Sequence, residues 1–202
     1  MNVAVLASGT GTNLQALLDQ VHGSDGVRIV AVASDNPSAV ALARAEDASV
    51  ATASFPASEY PGRADRDRAI GDWLLSHGTE LVVLAGYLQL LSKDFLARFA
   101  GKVINVHPAL LPAFPGLHAV EQALAYGVKV FGVTVHFVDE GVDTGPVILQ
   151  RAVAIPEARS EQDVMEHLRP LEHQLLPEAV RLIAAGAVRV DPDNPRRVLI
   201  ER

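Results

Sequence analysis

Three short polar clusters in this chain have residue types suited to a reaction site. "NVHP" at 105–108 sets Asn105 and His107 two residues apart where an apolar run ends. Residues two apart in extended chain point to the same side. An amide donor and an imidazole would therefore face one space, where they could stabilise an oxygen turning negative as a carbonyl is attacked. Asp143, in "DEGVDTG", offers a carboxylate that raises an imidazole's pKa or relays protons through water. "SGTGTNL" at 8–14 follows an apolar run and opens a helical pattern. That is where open α/β sheets take up phosphate. Taken singly, each cluster also has a structural reading: a strand end, an acidic turn and a capped tight turn.

The elements that must carry these clusters alternate. Apolar, β-branched runs at 2–8, 28–34, 50–55, 80–87 and 102–106 read as strands. Between them, Leu14, Leu17, Leu18 and Val21 mark one helix face, and Ala69, Ile70, Trp73 and Leu74 another. A helix is also expected to begin after Pro37. Strands apolar on both faces and separated by helices indicate a mostly parallel, Rossmann-like sheet covered on both sides, an α/β fold. Two longer runs, 130–138 and 146–155, extend it as an antiparallel section. Ser160 and Asp163 resemble a capping box ahead of a long helix, which Pro170 and Pro177 should kink or break. The tail reads as a small strand pair. A single domain over 1–202 is expected.

Composition narrows the function. Hydrophobic residues are 49% and charged residues 20% of 202, as in a globular protein. No apolar run approaches the ~20 residues of a membrane span. The N-terminus, "MNVAVLASGTG", has no charged n-region and reads as a strand, not a signal peptide. A net charge of −7 opposes nucleic-acid backbone binding, yet leaves room for a small anion held by local donors. With no cysteine, thiolate chemistry and thiolate metal sites are excluded, and a cytoplasmic setting is expected. His107, His118 and His136 lack metal-ligand spacing, so no metal is expected. The glycine loop has Leu14 where a dinucleotide fingerprint needs its third glycine, and it lacks the lysine of a Walker loop. Asp35 is then a turn residue and not a ribose ligand.

In order and spacing, "NVAVLASGTGTNLQAL", "LVVLAGYLQLLS", "NVHPALLPAFPGLHAVEQAL", "GVTVHFVDEGVDTGPVILQ" and "LEHQLLPEAV" resemble the phosphoribosylglycinamide formyltransferase family. The resemblance implies formyl transfer from the cosubstrate 10-formyltetrahydrofolate to the amine of glycinamide ribonucleotide (GAR), in purine synthesis. It implies Asn105 and His107 as holders of the oxyanion, with protonated His107 as acid, and Asp143 as the carboxylate that tunes it and shuttles protons. Gly11, Thr12 and Asn13 match the substrate-phosphate loop, and Glu172 a substrate-ribose ligand. Leu88, Gln89, Leu90 and Leu91, with Asp139, Glu140 and the rest of 139–143, match the pteridine site; Arg63 matches an arginine near the folate tail. The implied division is phosphate binding in the N-terminal half and folate binding and catalysis in the C-terminal half. The implied partners are small molecules only, without nucleic acid or membrane, and homodimerisation stays open. Gln89 stands where an arginine is usual in the best-known bacterial members, which points to contact with the pteridine through backbone groups, and Ala113 stands where lysine is common, which removes a possible anionic contact.

Three other readings compete. A formyltransferase acting on methionyl-tRNA would bring a second domain and a basic surface. A formyltetrahydrofolate hydrolase would bring a further N-terminal domain. A non-catalytic nucleotide-binding module would use the glycine loop but leave Asn105, His107 and Asp143 without a shared purpose.

Overall fold

A computed structural model describes residues 1–201. The chain runs β1 (Asn2–Leu6), α1 (Thr12–Gln20), β2 (Arg28–Ser34), α2 (Val40–Asp47), β3 (Ala51–Ser54), α3 (Arg63–Ser76), β4 (Leu81–Leu84), α4 (Lys93–Arg98) and β5 (Val103–His107). It continues through α5 (Ala119–Tyr126), β6 (Val130–Phe137), β7 (Val147–Ala154), α6 (Glu161–Ala184), β8 (Val188–Asp191) and β9 (Asn194–Ile200). A seven-stranded sheet has the order β3-β2-β1-β4-β5-β6-β7, and β8 and β9 form a separate pair. By contacts the chain divides into two compact units, Met1–Asn105 and Val106–Arg202.

In the first unit, β1 pairs in parallel with β2 and β4, β2 with β3, and β4 with β5. Val3, Ala4, Val5 and Leu6 are all fully buried, as a central strand covered on both faces requires. The chain goes from β1 to β2 on one side and later to β4 on the other. The carboxyl ends of β1 and β4 therefore flank the point where strand order reverses, the usual ligand crevice of such sheets.

In the second unit, β6 and β7 pair antiparallel, confirming the expected extension. Helix α6 is capped as expected, with Ser160 accepting from the Asp163 N–H and Asp163 accepting in return. The prolines do not break it: the helix is continuous for 24 residues through Pro170 and Pro177. Each proline removes one backbone hydrogen bond at about 3 kcal/mol. Burial of Val164, Leu168, Leu175, Leu176, Ala179 and Val180 along one face, at about 1.5–3 kcal/mol for a large side chain, outweighs that loss.

Expected boundaries also move, the largest shifts falling at two places. The helix after Pro37 starts at Val40, because Asn36 accepts from the Ser38 N–H through its side chain and from the Ala39 N–H through its carbonyl. That turn uses the residues a first helical turn would need. Strand β4 ends at Leu84 and not at 87, since the chain turns out to present residues 86–92. If α6 gains its stability from its buried face, replacing exposed Pro170 with alanine should add about 1–2 kcal/mol. Urea denaturation checks this, and an unchanged or lower midpoint counts against a continuous helix at 170.

Candidate active site

Asp143 is the centre of a polar cluster in the second unit. Its Oδ2 accepts from the Gly116 N–H at 2.7 Å and lies 3.3 Å from His107 Nδ1. Its Oδ1 lies 3.5 Å from His136 Nε2. Both imidazoles are buried, His136 to 1% exposure. His107 Nε2 lies 2.8 Å from the Phe114 carbonyl oxygen, and His136 Nδ1 lies 2.8 Å from that of Phe137. A carbonyl and a carboxylate accept only, so both ring nitrogens of His107 face acceptors. Burial pushes the Asp143 carboxyl up. The His136 hydrogen bond, the Gly116 N–H and the charge of both histidines outweigh it, and the pKa falls to about 2.

Local sequence places these groups. His107 ends β5, and Asn105 lies two residues earlier on the same strand, as the period-two pattern expects. Pro108 follows and stops the ladder. Residues 109–111 are then stitched to the antiparallel section. Thr134 Oγ1 donates to the Ala109 carbonyl at 2.6 Å and accepts from the Leu111 N–H. Gln150 Nε2 donates to the Leu111 carbonyl at 2.8 Å. Phe114 and Asp143 both have φ near +50°, at an ordinary cost of about 1–2 kcal/mol for a non-glycine residue. That backbone aims the Phe114 carbonyl and the Asp143 carboxylate at His107. Gly145 follows because a Cβ there would sit 1.8 Å from the Phe137 carbonyl oxygen.

In the first unit, the glycine loop caps α1. Gly11 has φ +70°, and a Cβ on it would meet Ala41 Cα at 2.7 Å, so two separate demands require glycine. Arg44 braces the loop by donating to the Thr10 carbonyl at 2.8 Å and to Gln15 Oε1 at 3.0 Å. Asn13 is buried and Thr12 half-buried at the helix start. Across the switch point, the Ser8 N–H donates to the Gly86 carbonyl and Ser8 Oγ accepts from the Leu88 N–H. Leu88, Gln89 and Leu90 are exposed, Leu91 is half-buried, and Arg63 is exposed at the first position of α3. Asp35 has a bridging role, accepting from Gln89 Nε2 at 2.9 Å.

The remaining expected residues lie elsewhere in the second unit. Glu172 is buried on α6. Asp139 accepts from the Gly141 N–H and the Thr144 hydroxyl, shaping the 139–145 turn, while Glu140 is exposed. Of the expected site residues, the second unit thus brings together His107 and Asp143. The sequence reading weighed His136 only as a metal ligand and passed over Thr134 and Gln150, and in the first unit Arg44, Arg66 and Asp67. A signal for the strand residues existed: Thr134 and His136 are polar at alternate positions of an otherwise apolar run.

A profile of the formyl transferase family, described as "Formyl transferase", matches residues 1–180. The phosphoribosylglycinamide formyltransferase of Mycobacterium tuberculosis is 45% identical over 188 residues, 93% of this chain and 87% of that protein. The chain belongs to the phosphoribosylglycinamide formyltransferase family. The crystal structure of glycinamide ribonucleotide transformylase 1 from Symbiobacterium toebii superposes with a TM-score of 0.95 at 43% identity, covering 100% of this chain and 94% of that one. A formyltetrahydrofolate deformylase from Pseudomonas syringae shares the fold at a TM-score of 0.90, but at 26% identity and over 66% of its own length. The expected parallel sheet with an antiparallel extension and long C-terminal helix is therefore this formyltransferase family's architecture. Among the described residues, no group of acidic or histidine side chains is arranged to hold a metal ion, and no helix is long and apolar enough to cross a membrane.

The lowered Asp143 pKa fixes the sign of a pH effect. A carboxylate shifted from 3.8 to about 2 adds stability that is complete above its unfolded value and is lost as pH falls through about 2. The stability gap between the wild type and Asp143→Asn should shrink as pH drops from about 4 to about 2. Denaturant titrations at several pH values test this; a gap that widens toward acid contradicts the assigned environment.

Proposed function

We propose that the chain transfers the formyl group of 10-formyltetrahydrofolate to the glycyl amine of GAR, giving N-formyl-GAR and tetrahydrofolate. The observation that carries this reading is the pair of acceptors that face the two ring nitrogens of His107, Asp143 on one side and Phe114 on the other, on the strand whose sequence also carries Asn105. The amine nitrogen attacks the formyl carbon, and the carbonyl electron pair moves to oxygen. The Asn105 amide and the His107 imidazolium stabilise that oxyanion. The new ammonium loses a proton, the folate N10 gains one, and the C–N10 bond breaks as the carbonyl re-forms.

Asp143 enters mainly as a fixed negative charge. A carboxyl with a pKa of about 2 holds a proton too weakly to store it, so its role is to orient the His107 ring and the water for the proton transfer. Gly11, Thr12 and Asn13 at the α1 N-terminus suit the GAR phosphate, with Glu172 for its ribose. Leu88, Gln89, Leu90 and Leu91, with Asp139, Glu140 and Arg63, are assigned to the folate. The apolar stretch 109–114 suits exclusion of water from a reactive formyl group. A chain without cysteine suits a cytoplasmic enzyme of small molecules, working as one functional domain.

Incubating the protein with both substrates and following folate product by absorbance tests the reaction. GAR-dependent release is expected; release that ignores GAR would make it a hydrolase, and no release defeats the proposal. Asp143→Asn should lower kcat by about 10² or more with GAR affinity nearly unchanged. Near-normal turnover in that variant removes Asp143 from the chemistry.

A further inference from the structure

Residues 86–92 present an unusual surface for a loop of ordinary stability. Leu88 is 62% and Leu90 57% exposed, although apolar side chains gain by turning inward. What holds them out is a chain of polar contacts built from buried charge in the first unit. Asp67, fully buried on α3, accepts from the backbone N–H of Ser92 at 2.6 Å through Oδ2. Its Oδ1 accepts from Arg66 Nη2 at 3.1 Å and Nε at 3.3 Å. Arg66, 3% exposed, extends Nη1 to Gln89 Oε1 at 3.3 Å. Gln89 Nε2 then donates to Asp35 Oδ2, at the end of β2, at 2.9 Å. With the Leu88 N–H on Ser8 Oγ, residues 88, 89 and 92 are each tied down, and the leucines between and beside them are left facing outward.

The residue type at 89 follows from its two neighbours. It must accept from a guanidinium on one side and donate to a carboxylate on the other. An arginine there would meet the Arg66 charge, and a glutamate would meet Asp35. The Gln89 amide serves both. Gln89 therefore spends both ends of its amide within the protein.

We infer that Gln89 is a positioning residue, bridging Asp35 and Arg66 to hold Leu88 and Leu90 outward as a preformed apolar ledge for the folate cosubstrate. This rests on the assignment of 88–91 to the folate. A ledge fixed before binding removes the ordering cost of the loop from cosubstrate affinity. Its loss should appear in the KM for folate and spare the chemistry.

Arg66 and Asp67 are a buried ion pair whose disruption risks unfolding, so the test uses the more accessible Gln89 and Asp35. Gln89→Glu should raise the KM for 10-formyltetrahydrofolate about tenfold, with kcat and the KM for GAR within about twofold. Adding Asp35→Asn to Gln89→Glu supplies an amide donor opposite the new carboxylate and should restore the KM to within about threefold of wild type. An unchanged folate KM in both Gln89→Glu and Gln89→Ala overturns the inference, as does failure of the double variant to recover while remaining folded by circular dichroism. Hydrogen exchange with 5,8-dideazafolate separates the two layers. Protection of 88–91 together with unaltered KM values rejects the bridge alone, whereas no protection there rejects the folate assignment and the inference with it.

Discussion

The second unit is organised around one carboxylate that accepts from three donors. Asp143 takes the Gly116 N–H and faces two buried imidazoles, and each of those turns its other nitrogen to a backbone carbonyl. Burial alone would drive the proton onto such a carboxyl, so its ionisation depends on all three donors being held in place. Much of the surrounding structure can be understood as meeting that condition. β5 delivers His107, β6 delivers His136, the 112–116 turn delivers both an N–H and a carbonyl, and left-handed backbone at 143 aims the acid. Gly145 allows the turn to close against Phe137.

A cluster of this kind resists rearrangement because each partner leaves an unsatisfied buried group if it moves. Thr134 and Gln150 extend the same logic to the proline-rich stretch, since their hydrogen bonds tie 109–111 to the sheet. The prolines limit the conformations available to this stretch, while the hydrogen bonds select the one it adopts.

The first unit solves a different problem with related means. Its strand order reverses beside β1, and both loops at that point are braced by side chains from neighbouring elements. Arg44 of α2 holds the glycine loop, and Arg66 and Asp67 of α3 hold 86–92. In both loops an arginine bonds within the protein, stiffening the backbone and leaving small or apolar groups as the presented surface.

By itself the sequence determined the alternation of elements, the parallel sheet and its antiparallel extension, the capped C-terminal helix and the pairing of Asn105 with His107 on one strand. All of these follow from local periodicity and turn chemistry, which act within a few residues. Motif order also carried the formyltransferase family. The tertiary structure decided what periodicity cannot encode. It carried α6 through two prolines, because packing energy is summed over a face that other elements supply. It brought His136 to Asp143, and it gave Gln89 partners 23 and 54 residues away. Such contacts depend on where distant segments meet. A histidine in an apolar strand, or a glutamine in a loop, therefore shows its role only once the fold has supplied its neighbours.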